Sequence, residues 1–156
     1  MRNKQFLADT FYLLLLASTL GAILVLGIFV APVVFNTTTL NHFDEGVIMA
    51  DIFHRFTYWL FMMLVAIILY EAYEYKKFKR DRIAIGASIM SIFTIMMFNT
   101  VYTPKILEMQ AEGKEATASE AFSDIHIASE VDFKILAFAL LVLFARRYYL
   151  ITHPKA

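Results

Sequence analysis

The stretch SEAFSDIHIASEVDFKILAFALLVLFARR, residues 119–147, decides how this chain is read. It ends in an apolar run that is too short for a membrane. Between Lys134 and Arg146 there are only eleven uncharged residues, 135–145, whereas a spanning helix needs ~20. Counting ~20 residues back from Ala145 reaches His126. A helix crossing here therefore carries His126, Glu130, Asp132 and Lys134 in, or at the edge of, the lipid zone. At ~1.5 Å rise per residue, Glu130 lies ~22 Å from Ala145, within the ~30 Å hydrocarbon thickness. Ionisable groups at such a level are costly and point to function. The rest of the chain reads as scaffold and partners for that cluster.

The chain has 156 residues, 60% hydrophobic and 15% aromatic, with no net formal charge. That length suits a single domain, 1–156, but the hydrophobicity is too high for an ordinary soluble one. The absence of cysteine excludes disulfides, thiolate metal sites and iron–sulfur clusters. A metal would have to use His, carboxylate, Met or Tyr. There is neither a basic nucleic-acid motif nor a phosphate-cradling Gly-rich loop, so no nucleic-acid partner is expected.

The pattern predicts an all-α, polytopic four-helix transmembrane bundle, with helices at about 8–35, 47–75, 83–103 and 119–150. The first uncharged run, 10–35, is far longer than a signal-peptide core and reads as a retained helix. Ala17 and Gly21, four apart, offer a small face to another helix, and Pro32 kinks or ends the rod. Residues 36–50 read as a loop, with the next helix starting near Gly46. The second run, 56–70, is again short, so its helix brings Asp51, His54 and Arg55 to the membrane edge. The third span, 83–103, is closed by Pro104, and a polar loop follows with a break at Gly113.

Lys76, Lys77, Lys79, Arg80 and Arg82 make the second loop basic, as are both termini, while the first loop has no Lys or Arg. Positive charge marks the cytoplasmic side, which places both termini in the cytoplasm and the protein in the cell inner membrane. The beginnings of helices 2 and 4 then share the outer side. Asp51, His54, Arg55, Tyr58 and Met62 lie on one face of helix 2, and His126, Ser129, Glu130, Phe133 and Ala137 on one face of helix 4. Lys134 flanks the second face, and Asn99 and Tyr102 on helix 3 can close the group, with Met49, Met96 and Met97 near the same level.

If the two faces meet, Asp51, His54, His126 and Glu130 present N and O ligands for one transition metal. Iron, manganese or zinc suits that set, and copper suits His with Met. Alternatively, His54 and His126 ligate haem b from opposite sides. Arg55, Asn99, Tyr102, Ser129 and Lys134 are the supporting polar residues. A plainer reading explains the same residues. Asp51 suits a helix first turn, Arg55 snorkels outward, and Glu130 pairs with Lys134 one turn on. His42 and His153, in a loop and the tail, read as structural, and Trp59, Tyr70, Tyr73 and Tyr75 read as interface-belt or packing residues.

Several blocks resemble a membrane family of unknown function that includes transmembrane protein 205. LGAILVLGIFVAPVVF resembles its first-helix signature, NTVYTPK the end of its third helix, and FSDIHIAS the start of its fourth. The resemblance implies a four-helix membrane domain in which Asn99, Pro104, His126 and Ser129 match the pattern. Asp51, His54, Glu130, Asp132 and Lys134 depart from it. More remotely the chain is similar to the superfamily of copper-resistance protein D and the haem-dependent protoporphyrinogen oxidase. Three functions are therefore expected of it. The first is metal or haem binding in the outer half of the bundle, for metal handling or electron transfer. The second is a haem-dependent oxidase acting on a porphyrin. The third is a non-catalytic assembly protein held by interhelical charge pairs. Lipid is the expected surrounding, with a second copy or another membrane protein as possible partner.

Overall fold

Local sequence signals set where each helix begins and ends in the computed structural model, which describes residues 2–76 and 81–153. Lys77, Lys79 and Arg80, on which the basic second loop partly rests, lie outside the described residues. Helix α1 is one rod over residues 2–35, formed by Arg2–Val25, a wide π-type turn at Leu26–Val30, and Ala31–Phe35. α2 is His42–Lys76. α3 is Arg82–Glu112, again with a wide turn inside it, Phe98–Tyr102. A short α4, Lys114–Thr117, leads into the long α5, Glu120–Thr152.

Three expected boundaries move. α2 starts at His42 rather than near Gly46, because Asn41 caps it. The Asn41 side-chain oxygen accepts from the Asp44 amide at 3.1 Å, and its NH2 donates to the Asp44 carboxylate at 2.6 Å. Pro104 does not close α3, and Pro32 does not end α1. Each proline follows a wide turn in which an N–H reaches five residues back, Ala31 to Leu26 and Thr103 to Phe98. The proline then falls in the opening turn of the next α-segment, where its missing N–H costs little. α3 thus continues to Glu112 and stops at Gly113, whose φ of 104° suits glycine. Asp81 and Ser119 cap α3 and α5, accepting from the amides of Ala84 and Phe122.

The helices pack in a ring, α1 against α2, α2 against α3, α3 against α5, and α5 back against α1. α3–α5 is the most extensive pair. Its seam on α3 is small and buried, with Ala84, Ala87, Ser88, Ser91 and Thr94 at helical spacing. The hydroxyls of Ser88, Ser91 and Thr94 return to carbonyls of their own helix at 2.8–3.0 Å, so close approach leaves none of them unpaired. The pair expected to be the small-residue contact, Ala17 and Gly21, instead faces outward, and nothing lies within 4 Å of where a Gly21 side chain would begin. Inside the ring, Leu16, Leu60, Ile67, Ile95, Leu136 and Leu140 are fully buried.

Among the described residues, three helices are long and apolar enough to cross a membrane, at residues 4–35, His42–Lys76 and Arg82–Glu112. α5 is as long, but Glu130, Asp132 and Lys134 precede its apolar run and Arg146 and Arg147 follow it.

One end of the bundle is tied by charges. Arg147, 4% exposed, donates from Nε to Glu71 Oε1 at 2.8 Å and from Nη2 to Glu71 Oε2, with Glu74 beside it at 3.9 Å. Tyr12 donates to Glu71 at 3.2 Å, Tyr70 donates to Asp9 at 2.7 Å, and the two rings stack with centroids 3.8 Å apart. The Arg147 guanidinium also lies over the Tyr70 ring at 5.5 Å. Next to this network, Arg146 forks onto Asp81 at 2.6 and 3.0 Å and ties α5 to the start of α3. Tyr70, expected to pack or to sit in an interface belt, is therefore part of a polar network. Trp59 likewise has a specific partner, donating to Thr19 at 2.9 Å between α2 and α1.

Removing one partner of a buried ion pair strands the other charge, at ~3–5 kcal/mol. Arg147→Ala is therefore expected to lower bundle stability by that much in a denaturation series in detergent. Arg147→Met combined with Glu71→Gln should recover a large part of the loss. Asp81 supplies a pH test. The Arg146 hydrogen bond holds its carboxyl at about 2, below the ordinary 3.8. A depressed carboxyl stabilises the fold above its unfolded pKa, and that stability disappears as pH falls through the folded one. Asp81→Asn, which keeps the helix cap, should be less stable than the parent at neutral pH. The difference should close between pH 3.8 and 2.

Candidate functional site

At the end opposite the Arg147 network, the ring is not filled. A cavity of about 560 Å³ lies between the later half of α1, the first turns of α2, the end of α3 and the beginning of α5. Both wide turns border it, through Gly27 and Ile28 on α1 and through Phe98 on α3. Its wall is mainly apolar. Phe53, Phe98 and Phe133 form a cluster there, with ring centroids 5.2–5.7 Å apart.

The polar part of the wall comes mostly from α5, where His126, Glu130 and Lys134 follow one another at one-turn intervals. Glu130 joins the other two, with Oε1 3.4 Å from His126 Nε2 and Oε2 accepting from Lys134 Nζ at 3.2 Å. Phe122 stacks on the His126 ring at 5.9 Å. Ser129 also lines the cavity, and its hydroxyl is already committed to the His126 carbonyl at 2.7 Å.

The expected partners on α2 do not join them. Asp51 and Arg55 pair with each other at 3.0 Å along the helix, and both side chains are more than half exposed. His54 is half-buried, its ring edge-on to Tyr58 at 5.6 Å. None of Asp51, His54 and Arg55 lines the cavity. The physical reason is which face of α2 turns inward: Met49, Ala50 and Phe53 line the cavity and Phe53 meets Phe133 of α5, which leaves Asp51 and Arg55 on the exposed side. Asn99 ties α3 to α2, donating to the Thr57 carbonyl at 3.0 Å, while its Oδ1 is buried without a partner. Tyr102 and the expected methionines Met96 and Met97 are off the cavity wall, but Met49 is on it. Among the described residues, no three His, Cys, Asp or Glu side chains come together to hold a metal ion.

Some wall residues went unrecognised in sequence. Gln110, in a segment that reads as a loop, is helical, and His42, also in a stretch that reads as a loop, begins the first turn of α2. His42 stands at the exposed rim and meets the buried Glu45 at 2.8 Å. The Asn41/Asp44 capping pair was the signal that placed it on a helix. Asp132 turns away from the cavity side and is buried, with Oδ2 unpartnered.

The fold defines a class, an all-helical bundle with three helices long and apolar enough to cross a membrane, enclosing a cavity at one end. Within that class the chain belongs to the family described as "Domain of unknown function (DUF4149)", whose family model matches residues 14–115. The match runs from α1 past the end of α3 and stops before α5, so the His126–Glu130–Lys134 stripe lies beyond it. No curated protein and no solved structure matches the chain.

Because Asp51 and Arg55 are an exposed pair within one helix, their contribution is small. Asp51→Asn and Arg55→Gln should each change stability by less than ~0.5 kcal/mol, an order below the Arg147 variant in the same denaturation series.

Proposed function

We propose that this chain is a four-span protein of the cell inner membrane, both termini cytoplasmic, whose cavity binds a small and largely apolar ligand. α5 is the fourth span in this reading. Its 33 residues give ~50 Å of helix, and it runs antiparallel to α3 along their shared seam. The observation that carries the ligand reading is the cavity itself. Its volume is ordinary for a small-molecule site, and an apolar wall with a few convergent polar groups is what such sites have.

The metal and haem forms of the expectation meet the same obstacle. Iron, copper, zinc or manganese held by Asp51, His54, His126 and Glu130 does not fit, because the first two are off the wall. Haem b between His54 and His126 does not fit for the same reason, and only His126 is placed to reach a cofactor of that kind here. The links to transmembrane protein 205, to copper-resistance protein D and to a porphyrin oxidase stay within the proposal and add no residue to the site. One observation favours a second reading, a non-catalytic assembly protein. Charge pairs between helices do exist, as Arg147–Glu71 and Arg146–Asp81, at the end away from the cavity.

The test is purification in mild detergent, followed by native mass spectrometry, an optical spectrum and elemental analysis. Gly27→Phe is the wall-filling variant, since a side chain there begins in open space. A molecule should stay with the parent protein and be absent from that variant. An empty parent after growth with iron, copper, zinc and haem precursor supplied would leave the assembly reading in its place.

A further inference from the structure

Part of the cavity lining on α1 and α5 is exposed, and that exposure marks where the cavity meets the outside. Among its lining residues, Leu24 and Ile28 on α1 are 45% and 59% exposed, and across from them Glu130 and Lys134 on α5 are 53% and 74% exposed at the side chain. An aperture bordered by an outward apolar helix face on one edge faces hydrocarbon when the bundle is in a bilayer. The other edge carries a line of polar groups, Lys134, Glu130 and His126, over two turns or ~12 Å. A molecule entering here needs an apolar tail for the phenylalanine-lined interior and a polar head for that edge.

The charges of the edge narrow the head further. Glu130 lies between two nitrogen bases, so a single negative group is flanked by Lys134 and His126. Only one of the three ammonium donors of Lys134 is used, and His126 Nδ1 has no partner among the described residues. A head bearing one anionic and one cationic group matches this order. Phosphate oxygens would accept from Lys134 and His126, while an ammonium lies against Glu130. A head with only negative charge gains the same donors but brings no cation to the Glu130 carboxylate and competes with it for Lys134.

We infer that the cavity admits one acyl chain of a zwitterionic membrane phospholipid sideways between α1 and α5, and that Glu130 and Lys134 select its head. This rests on the ligand-binding reading above and names the ligand for that site. The wide turn at Leu26–Val30 lies at the aperture, and Gly27 leaves its edge without a side chain.

The experiment is native mass spectrometry of the full chain with phosphatidylethanolamine or phosphatidylglycerol of identical acyl chains. The parent protein should retain phosphatidylethanolamine at least about tenfold better. Glu130→Lys, at an exposed position, should reverse the order, and Gly27→Phe should abolish retention of both. Equal retention of the two lipids by the parent overturns the head-group selection but leaves the ligand-binding reading intact. A different molecule held in the parent and lost in Gly27→Phe overturns the lipid inference alone. If nothing is held and Gly27→Phe changes nothing, both fall together.

Discussion

The bundle depends on a single guanidinium. Arg147 is the last of the buried residues along α5, and the ends of α1 and α2 are arranged around it. Glu71 receives it in a fork, Tyr12 donates to the same carboxylate, and Tyr70 covers its face while holding Asp9. An arginine suits this place because its planar donors fix the direction as well as the presence of a partner. Arg147 links α1, α2 and α5 at that end, and Arg146 links the start of α3 to α5 through Asp81, so the four long helices are tied to one another there.

The opposite end is built on the contrary principle. There the polar pairs run along single helices, Asp51 with Arg55 and Glu130 with Lys134, and do not hold helices together. Contact between helices is left to the phenylalanine cluster, to Asn99 on the Thr57 carbonyl, and to the small seam of α3. In lipid, where burial of apolar surface gives little drive for helix association, packing and hydrogen bonds carry it instead. A bundle clamped at one end and loosely filled at the other can keep a cavity without losing its order. The prolines fit this division, because both wide turns that precede them lie at the cavity level and none at the clamp.

Much of this was legible from residue order alone. The apolar runs point to three of the four long helices, and the charge-interrupted run from His126 to Ala145, expected to be a fourth span, lies within the long α5. His126, Ser129, Glu130 and Lys134 were picked out together and do share one wall. Helical periodicity says which residues lie on a common face; it does not say which neighbour that face meets. Joining Asp51 and His54 to His126 requires the two polar faces to meet, and it is Phe53 of α2 that turns toward α5 instead. The Arg147 network escaped for a related reason. Arginine after an apolar run reads as the end of a span, and only the three-dimensional meeting of α1, α2 and α5 turns it into a buried centre.

The unmet polar atoms fall in line with this division of labour. Asn99 Oδ1 and Asp132 Oδ2 are the buried side-chain atoms without a partner among the described residues; both lie away from the clamp, and neither lines the cavity wall. At the clamp, by contrast, Tyr12, Tyr70, Asp9, Glu71 and Arg147 all have partners. A buried acceptor without a donor costs ~1–3 kcal/mol, and a buried network is stable only when its members are satisfied. The stability of this molecule is therefore concentrated away from its cavity. The clamp is where buried polar groups are matched, and the cavity end is left to apolar packing around the phenylalanine cluster.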